Sequence, residues 1–484
     1  MLDLQSRFHF WRNPSAIKVV LLLATAILTY RHFALIHHHA VNILYWDQWG
    51  FFDPLFIGKH WWELFRWQHG PWRQGAGILS YLLAEQTNWD SRAESFFIGV
   101  LVWLAMLAAL WLKQRLFGEL RLSDIAIPLI ILTPTQFQTY VGAVSSAPTT
   151  FPMLLIVLFC LAWTVKRKPW RIVLVLVFNF LLVNTGYGLF VGGITLALFA
   201  IESWNNRKQR QDLAAAFSGL IVSALTVLAF VIDYDLEHFS GSVGHQVTRL
   251  WDYPLFAGLM LGRFVRPYPN RIAWFTYPAM AFGLGFLLLA IVALCVHLRR
   301  VMKFTVPIHR RDAENAKEAQ REKPKLRETS EEPDCRINLV IIILVGFVLL
   351  FVANAAWGRA GMGLNGSQSS RFVTLLIPGF LGIYFHLLTL QADSSRRIAL
   401  SLFLLLTLPG HLPLRLGDSH PAASFSAGKK AWKECFLQTE NVGHCNQLTG
   451  FAVVAAIDRE IFLRRIEFMK QRRLNLYKDS KGSQ

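Results

Sequence analysis

Runs of mostly apolar residues recur along the whole chain, separated by short polar segments. They cover 17–36, 93–112, 125–141, 148–165, 172–183, 186–201, 213–232, 274–298, 337–355, 372–390 and 398–412. About 20 such residues suffice for an α-helix to cross the hydrocarbon core. The pattern therefore predicts an all-α integral membrane protein with about eleven transmembrane helices. Pro128 and Pro134 predict a kink or a break in the third, because proline removes a donor and clashes with the preceding turn. Asn184-Thr185-Gly186 predicts a tight turn between the fifth and the sixth.

The polar segments divide the rest. Residues 37–92 form a first loop rich in aromatics, in which Trp61-Trp62-Glu63-Leu64-Phe65 and 76–84 predict interfacial amphipathic helices. A second polar and aromatic stretch covers 233–271. Residues 299–336 mix Lys, Arg, Glu and Asp without an apolar period and predict a solvated linker. The domains expected are thus a transmembrane body over 1–412 and a tail over 413–484. Arg7, Arg12 and Lys18 precede an apolar run with no small-residue cleavage site after it, which predicts a retained first span rather than a removed signal.

Composition agrees with the pattern. Of 484 residues, 54% are hydrophobic and 17% charged, too apolar for a chain whose main solvent is water. The net charge of +18 would suggest nucleic acid in a soluble protein. Here the Lys and Arg sit in short loops and report topology instead, and no nucleic-acid partner is expected. With the N-terminus inside, Lys113, Arg115 and Arg121, then Lys166 to Arg171, Arg207 to Arg210, the 299–336 linker and Arg396 with Arg397 all fall on the inner side. The first loop and the tail then lie outside. Cys435 and Cys445, close neighbours in that tail, predict a disulfide in an oxidising compartment. A bacterial inner membrane with a cytoplasmic N-terminus and a periplasmic tail fits both signals.

Two outer segments carry candidate chemistry. In Tyr45-Trp46-Asp47-Gln48-Trp49 a carboxylate stands between aromatics, where desolvation favours a general base; a solvated Asp in an aromatic belt is the plainer reading. Gln68-His69-Gly70-Pro71-Trp72-Arg73 follows, with His69 as a proton shuttle or metal ligand and Arg73 as a phosphate contact. Later come Trp357-Gly358-Arg359 and Ser369-Ser370-Arg371-Phe372. Arg359 and Arg371 suit an anionic group such as a lipid phosphate, and Arg371 opens a helix whose dipole adds to its charge; headgroup anchoring is the alternative. No HExxH, P-loop, Gly-x-Ser-x-Gly or paired-cysteine metal motif occurs.

The arrangement resembles the GT-C class of polytopic glycosyltransferases. The resemblance rests on Asp47 in Trp-Asp-Gln-Trp, the His69 to Arg73 segment after it and the late Ser-Arg-Phe, with Gln48 standing where a second acid could be. It implies transfer of a sugar from a polyprenyl-phosphate donor to a hydroxyl of a glycan, lipid or other acceptor at the outer membrane face. Asp47 would be the base, and Arg371, Arg359, Arg73 and His69 would contact substrate. A divalent metal could be held by Asp47 and His69. The competing classes are a transporter or lipid-linked glycan flippase without covalent chemistry, and a surface polysaccharide polymerase or ligase.

Overall fold

A computed structural model describes residues 14–70, 72–142, 146–235, 249–266, 276–305, 331–411, 421–454 and 459–479. Most of the expected 299–336 linker lies outside them, as do Arg7, Arg12 and Pro71. The described residues are almost wholly helical. Helices α1 (Pro14–His39), α2 (Ser91–Phe117), α3 (Phe151–Trp163), α4 (Lys168–Val183), α5 (Leu189–Asn205) and α6 (Arg210–Val231) come first. Then follow α7 (Asp252–Gly262), α8 (Thr276–Thr305), α9 (Glu331–Arg359), α10 (Arg371–Leu388) and α11 (Asp393–Thr407). Eight helical segments among the described residues are long and apolar enough to cross a membrane: Ser15–His39, Ser91–Phe117, Ser146–Trp163, Gly186–Asn205, Arg210–Val231, Thr276–Met302, Cys335–Met362 and Arg371–Leu388. The protein is an all-α, multi-pass membrane protein.

Three of the predicted spans fall short of that length. Two are α4, with 16 residues, and α11, with 15. The third is broken, as its prolines require: a helix over Ala126–Ile131, a non-helical step at Leu132 and Thr133, a 3₁₀ turn over Pro134–Gln136 and a short helix over Phe137–Val141. The break frees polar groups inside an apolar body, and side chains take them up. Gln136 Nε2 donates to Ile131 O at 2.6 Å, and the Thr133 and Thr135 hydroxyls bond each other at 2.9 Å. One apolar core runs through the bundle, from Ile98 and Val102 of α2 through Phe159 of α3 to Val345 of α9 and Phe380 of α10.

A second core lies outside it. The tail folds into α12 (Pro421–Thr439), α13 (Val442–Thr449) and α14 (Arg459–Gln471) and packs on the first loop. Trp49 meets Phe462 with ring centroids 5.0 Å apart, and Phe56 meets Phe468 at 5.5 Å. Asn475, fully buried, joins the two at one point. Its side chain donates to Trp89 O at 2.7 Å and Ser91 Oγ at 2.9 Å and accepts from Leu44 N at 3.0 Å, while its own carbonyl accepts from Asn42 Nδ2 at 2.7 Å. Cys435 and Cys445 form a disulfide with Cα atoms 5.7 Å apart, tying α12 to α13. The tail is therefore a folded cap on the first loop.

Candidate functional site

Trp46 sets the geometry. Its φ of +51° is left-handed, a conformation that costs a bulky residue on the order of 1–3 kcal/mol and persists only when its surroundings impose it. The tail supplies them: Trp46 N donates to Val453 O at 2.9 Å and Trp46 Nε1 to Ala452 O at 3.0 Å. The chain then turns into a single helical turn, Gln48–Phe51, with Asp47 at its head.

From there the Asp47 carboxylate accepts a hydrogen bond from Arg371 Nη1, 324 residues further on. Arg371 is the first residue of α10, and the broken segment holds that helix start in place. Gln138 N donates to Ser370 Oγ at 3.0 Å, Ser370 N donates to Gln138 Oε1 at 2.8 Å, and Thr374 Oγ1 donates to Gln136 Oε1 at 2.9 Å. The proline break thus supplies the polar groups that fix the arginine.

The pair sits at a narrow cleft lined also by Phe51, Trp72, Thr149, Tyr187, Arg359 and Phe372. Pro148 and Thr149 reach it from a π-helical turn, Ser146–Thr150, that precedes α3. The Arg359 guanidinium lies 5.1 Å from the centre of the Phe372 ring, and Tyr187 lines the same cleft. Two guanidiniums against one carboxylate leave the cleft with one net positive charge. Its other walls are aromatic faces. Trp72 and Tyr187 stand 5.3 Å apart, and the Trp72 indole N–H is buried without a hydrogen-bond partner. Such a cleft suits an anion joined to a ring that can lie on aromatic surfaces.

Arg73 and His69 are placed elsewhere. Gln68 pairs with Arg73 and His69 with Trp72 in a hairpin of β1 (Gln68–His69) and β2 (Trp72–Arg73), and Gly70 takes the φ of +58° that so tight a reversal needs. Neighbours on a strand face opposite ways, so Trp72 faces the cleft and Arg73 turns from it. Arg73 donates to the carbonyls of Phe230, Ile232 and Arg66 at 2.7–3.2 Å and clamps the hairpin to the end of α6. Burial lowers its pKa. His69 packs on Phe51, with ring centroids 4.6 Å apart, and over Gly50, where any Cβ would strike the imidazole. It also interacts electrostatically with Asp53. Burial raises the Asp53 pKa, against the pull of Arg465, which pairs with it from α14. Among the described residues no group of three or more His, Cys, Asp and Glu is placed to hold a metal ion.

Behind Asp47 lies a buried network that sequence reasoning did not identify. Gln48 accepts from Tyr45 N at 2.9 Å and donates to Glu94 at 3.0 Å. Lys429, inserted from α12, donates to Gly142 O at 2.7 Å and places its ammonium 4.9 Å from the centre of the Tyr45 ring. Burial pushes the Lys429 pKa down to about 7, with Glu94 opposing the shift, and pushes Tyr45 up to about 12, with Arg371 opposing. Glu94 had a visible signal, an acid in the first turn of a long apolar run. Lys429 had none, because nothing local marks a tail lysine as buried. No protein-family model matches the chain, and neither a curated protein nor a solved structure matches it significantly.

Proposed function

We propose that the chain is a membrane glycosyltransferase of GT-C type, which moves a sugar from a polyprenyl-phosphate donor to a hydroxyl acceptor at the outer face of a bacterial inner membrane. The observation that carries this reading is the pairing of Asp47 with Arg371 at a cleft that also holds Arg359. Donor phosphate competes with the Asp47 carboxylate for the arginines. As phosphate takes Arg371 and Arg359, the carboxylate is released to act as a base. The acceptor oxygen then bonds to the anomeric carbon and gives its proton to Asp47, while the bond from that carbon to the phosphate oxygen breaks. Polyprenyl phosphate departs with the electron pair, its charge held by the two guanidiniums. The aromatic walls, Trp72 and Tyr187, suit the apolar face of the sugar.

The topology in this reading has eleven crossings, including α4, α11 and the broken segment. Contacts between the first loop and the tail support it. Those two regions hydrogen-bond through Asn42 and Asn475, so they share one face, and only an odd total of crossings allows that. The basic clusters then lie inside, which makes the cleft face external. Incubation of purified protein with polyprenyl-phosphate sugars, followed by release of free polyprenyl phosphate, tests the activity. Absence of release from every donor, or full activity in Asp47→Asn, overturns it.

A flippase or transporter is the second reading. It draws on ionisable groups within the bundle: Lys113 with Asp124, and His297 with His386 at 3.0 Å, since such groups line many substrate and proton paths. Movement of a lipid-linked sugar across vesicles without covalent transfer would favour it.

A further inference from the structure

The turn that carries Asp47 is closed twice. Gln48 N donates to Tyr45 O at 3.1 Å, and the Gln48 side chain reaches back so that its Oε1 accepts from Tyr45 N at 2.9 Å. Within Tyr45-Trp46-Asp47-Gln48 only Asp47 is charged. The other end of the Gln48 amide, Nε2, donates at 3.0 Å to Glu94 Oε2, from the first turn of α2. The neighbours decide which end is which, because a backbone N–H can only meet the amide oxygen.

Both clamp side chains are hidden, Gln48 with 0% and Glu94 with 6% of its surface exposed. Burying an amide and a carboxyl costs free energy unless each is hydrogen-bonded, and two apolar side chains of the same shape would fill the space about as well. What the polar pair adds is direction. It closes a turn whose Trp46 is left-handed, and from that turn Asp47 reaches Arg371 at the cleft. The tail grips the turn independently, through the two Trp46 bonds and through the Tyr45 ring, which stacks on Phe451 at 5.4 Å. The bond to Glu94 ties it to the bundle.

We propose that Gln48 and Glu94 are positioning residues, which hold the Asp47 carboxylate where it receives the acceptor proton. The inference rests on the transferase reading, in which Asp47 is the base. A misplacement of about 1 Å can cost on the order of a hundredfold in rate. Donor phosphate is held instead by Arg371, at the start of α10, and Arg359, at the end of α9, and neither depends on the clamp. Its loss should therefore appear in kcat and leave donor affinity unchanged.

The full chain would be assayed for turnover, donor binding and unfolding temperature side by side, with the polyprenyl-phosphate sugar that the unmodified chain turns over. Gln48→Met alone strands Glu94 and could fail to fold, so it is paired with Glu94→Met. Exchanging both partners for apolar groups of like shape should keep the unfolding temperature close to normal, while kcat falls by about tenfold to a hundredfold and donor binding is kept. Glu94→Gln retains an oxygen that can accept from Gln48 Nε2 and should stay near the unmodified kcat. Full turnover in the Gln48→Met, Glu94→Met double variant overturns the inference while the transferase reading stands. Parallel loss of donor binding and kcat in that variant overturns it also, as a defect of packing. A Glu94→Gln variant as slow as the double variant would mean that the charge of Glu94 matters rather than its hydrogen bond, and would reject positioning. No release by the unmodified chain from any donor would overturn the transferase reading itself, and this inference with it.

Discussion

Asp47 and Arg371 keep 27% and 28% of their side-chain surface exposed, while Asp124 and Lys113, joined at 2.7 Å in the same bundle, keep 0% and 1%. The chemical partners are alike, a carboxylate and a cation, and their surroundings are opposite. Asp124 also accepts from Tyr384 Oη at 2.5 Å and from Arg121 N at 2.6 Å, so its charge is satisfied from several directions. A buried pair of this kind resists loss of either member, because the survivor would be left charged and dry. A half-exposed pair can exchange its partner at small cost, because water and ions compensate. The comparison separates a pair built to stay from one able to let a ligand in.

The largest expected effect breaks the exchangeable pair. In the polyprenyl phosphate release assay, Asp47→Asn should lose turnover by about a hundredfold to ten-thousandfold, the usual cost of a missing general base, with donor binding largely kept. Arg371→Ala should weaken donor binding together with turnover, since phosphate is charged before and after transfer. Donor binding unchanged in Arg371→Ala would remove this arginine from the phosphate site.

The buried pair should respond in stability instead. Lys113→Ala should destabilise the fold by about 3–5 kcal/mol, as expected for an orphaned buried carboxylate, read as a lower unfolding temperature in detergent. Asp47→Asn should shift that temperature little. If the two variants melted alike, the contrast between the pairs would have no energetic content.

A third test moves to the cap that holds Trp46. Replacing Cys435 and Cys445 with serine should destabilise the tail by about 3 kcal/mol in the chain-entropy model for so short a loop, measured as faster proteolysis between α12 and α13. The bundle should remain protected.

The last test concerns Lys429. Its pKa is lowered to about 7 from an ordinary value of 10.5, so between those two values the unfolded chain binds more protons than the folded one. Stability should therefore rise with pH from about 7 toward 10.5 and be flat with respect to this group below about 7. Lys429→Met should remove that rise from a plot of unfolding temperature against pH, and a slope left intact would mean that Lys429 is not the group responsible.

Much of this architecture was legible in apolar period alone. The long spans are visible as runs of about 20 residues, and Pro128 with Pro134 marks the break that the chain makes. Asp47 was recognisable as a candidate because it is a carboxylate set between aromatics, and Arg371 because it is a cation where an apolar run begins. Their direct contact, across 324 positions, was not legible. Arg73 and His69 belonged to the same candidate set, yet strand alternation and a close fit over Gly50 send them elsewhere, and no local pattern encodes which face of a two-residue strand meets the cleft. The tail reads as polar because its helices expose charge on one side. The aromatic face it lays on the first loop, Trp432, Phe436 and Phe462, becomes significant only beside Trp49.

Asn475 also bears on biogenesis. The turn that presents Asp47 is clamped by residues translated long after it: Asn42 bonds a residue 433 positions later. At about 5–20 residues per second, the first loop would wait on the order of tens of seconds after synthesis for its cap. During that interval Trp49 and Phe56 lack Phe462 and Phe468, and Trp46 lacks the tail carbonyls that hold its left-handed backbone. The nascent protein would thus be inserted well before its cleft is shaped, with an exposed aromatic surface that a chaperone on that side of the membrane could recognise.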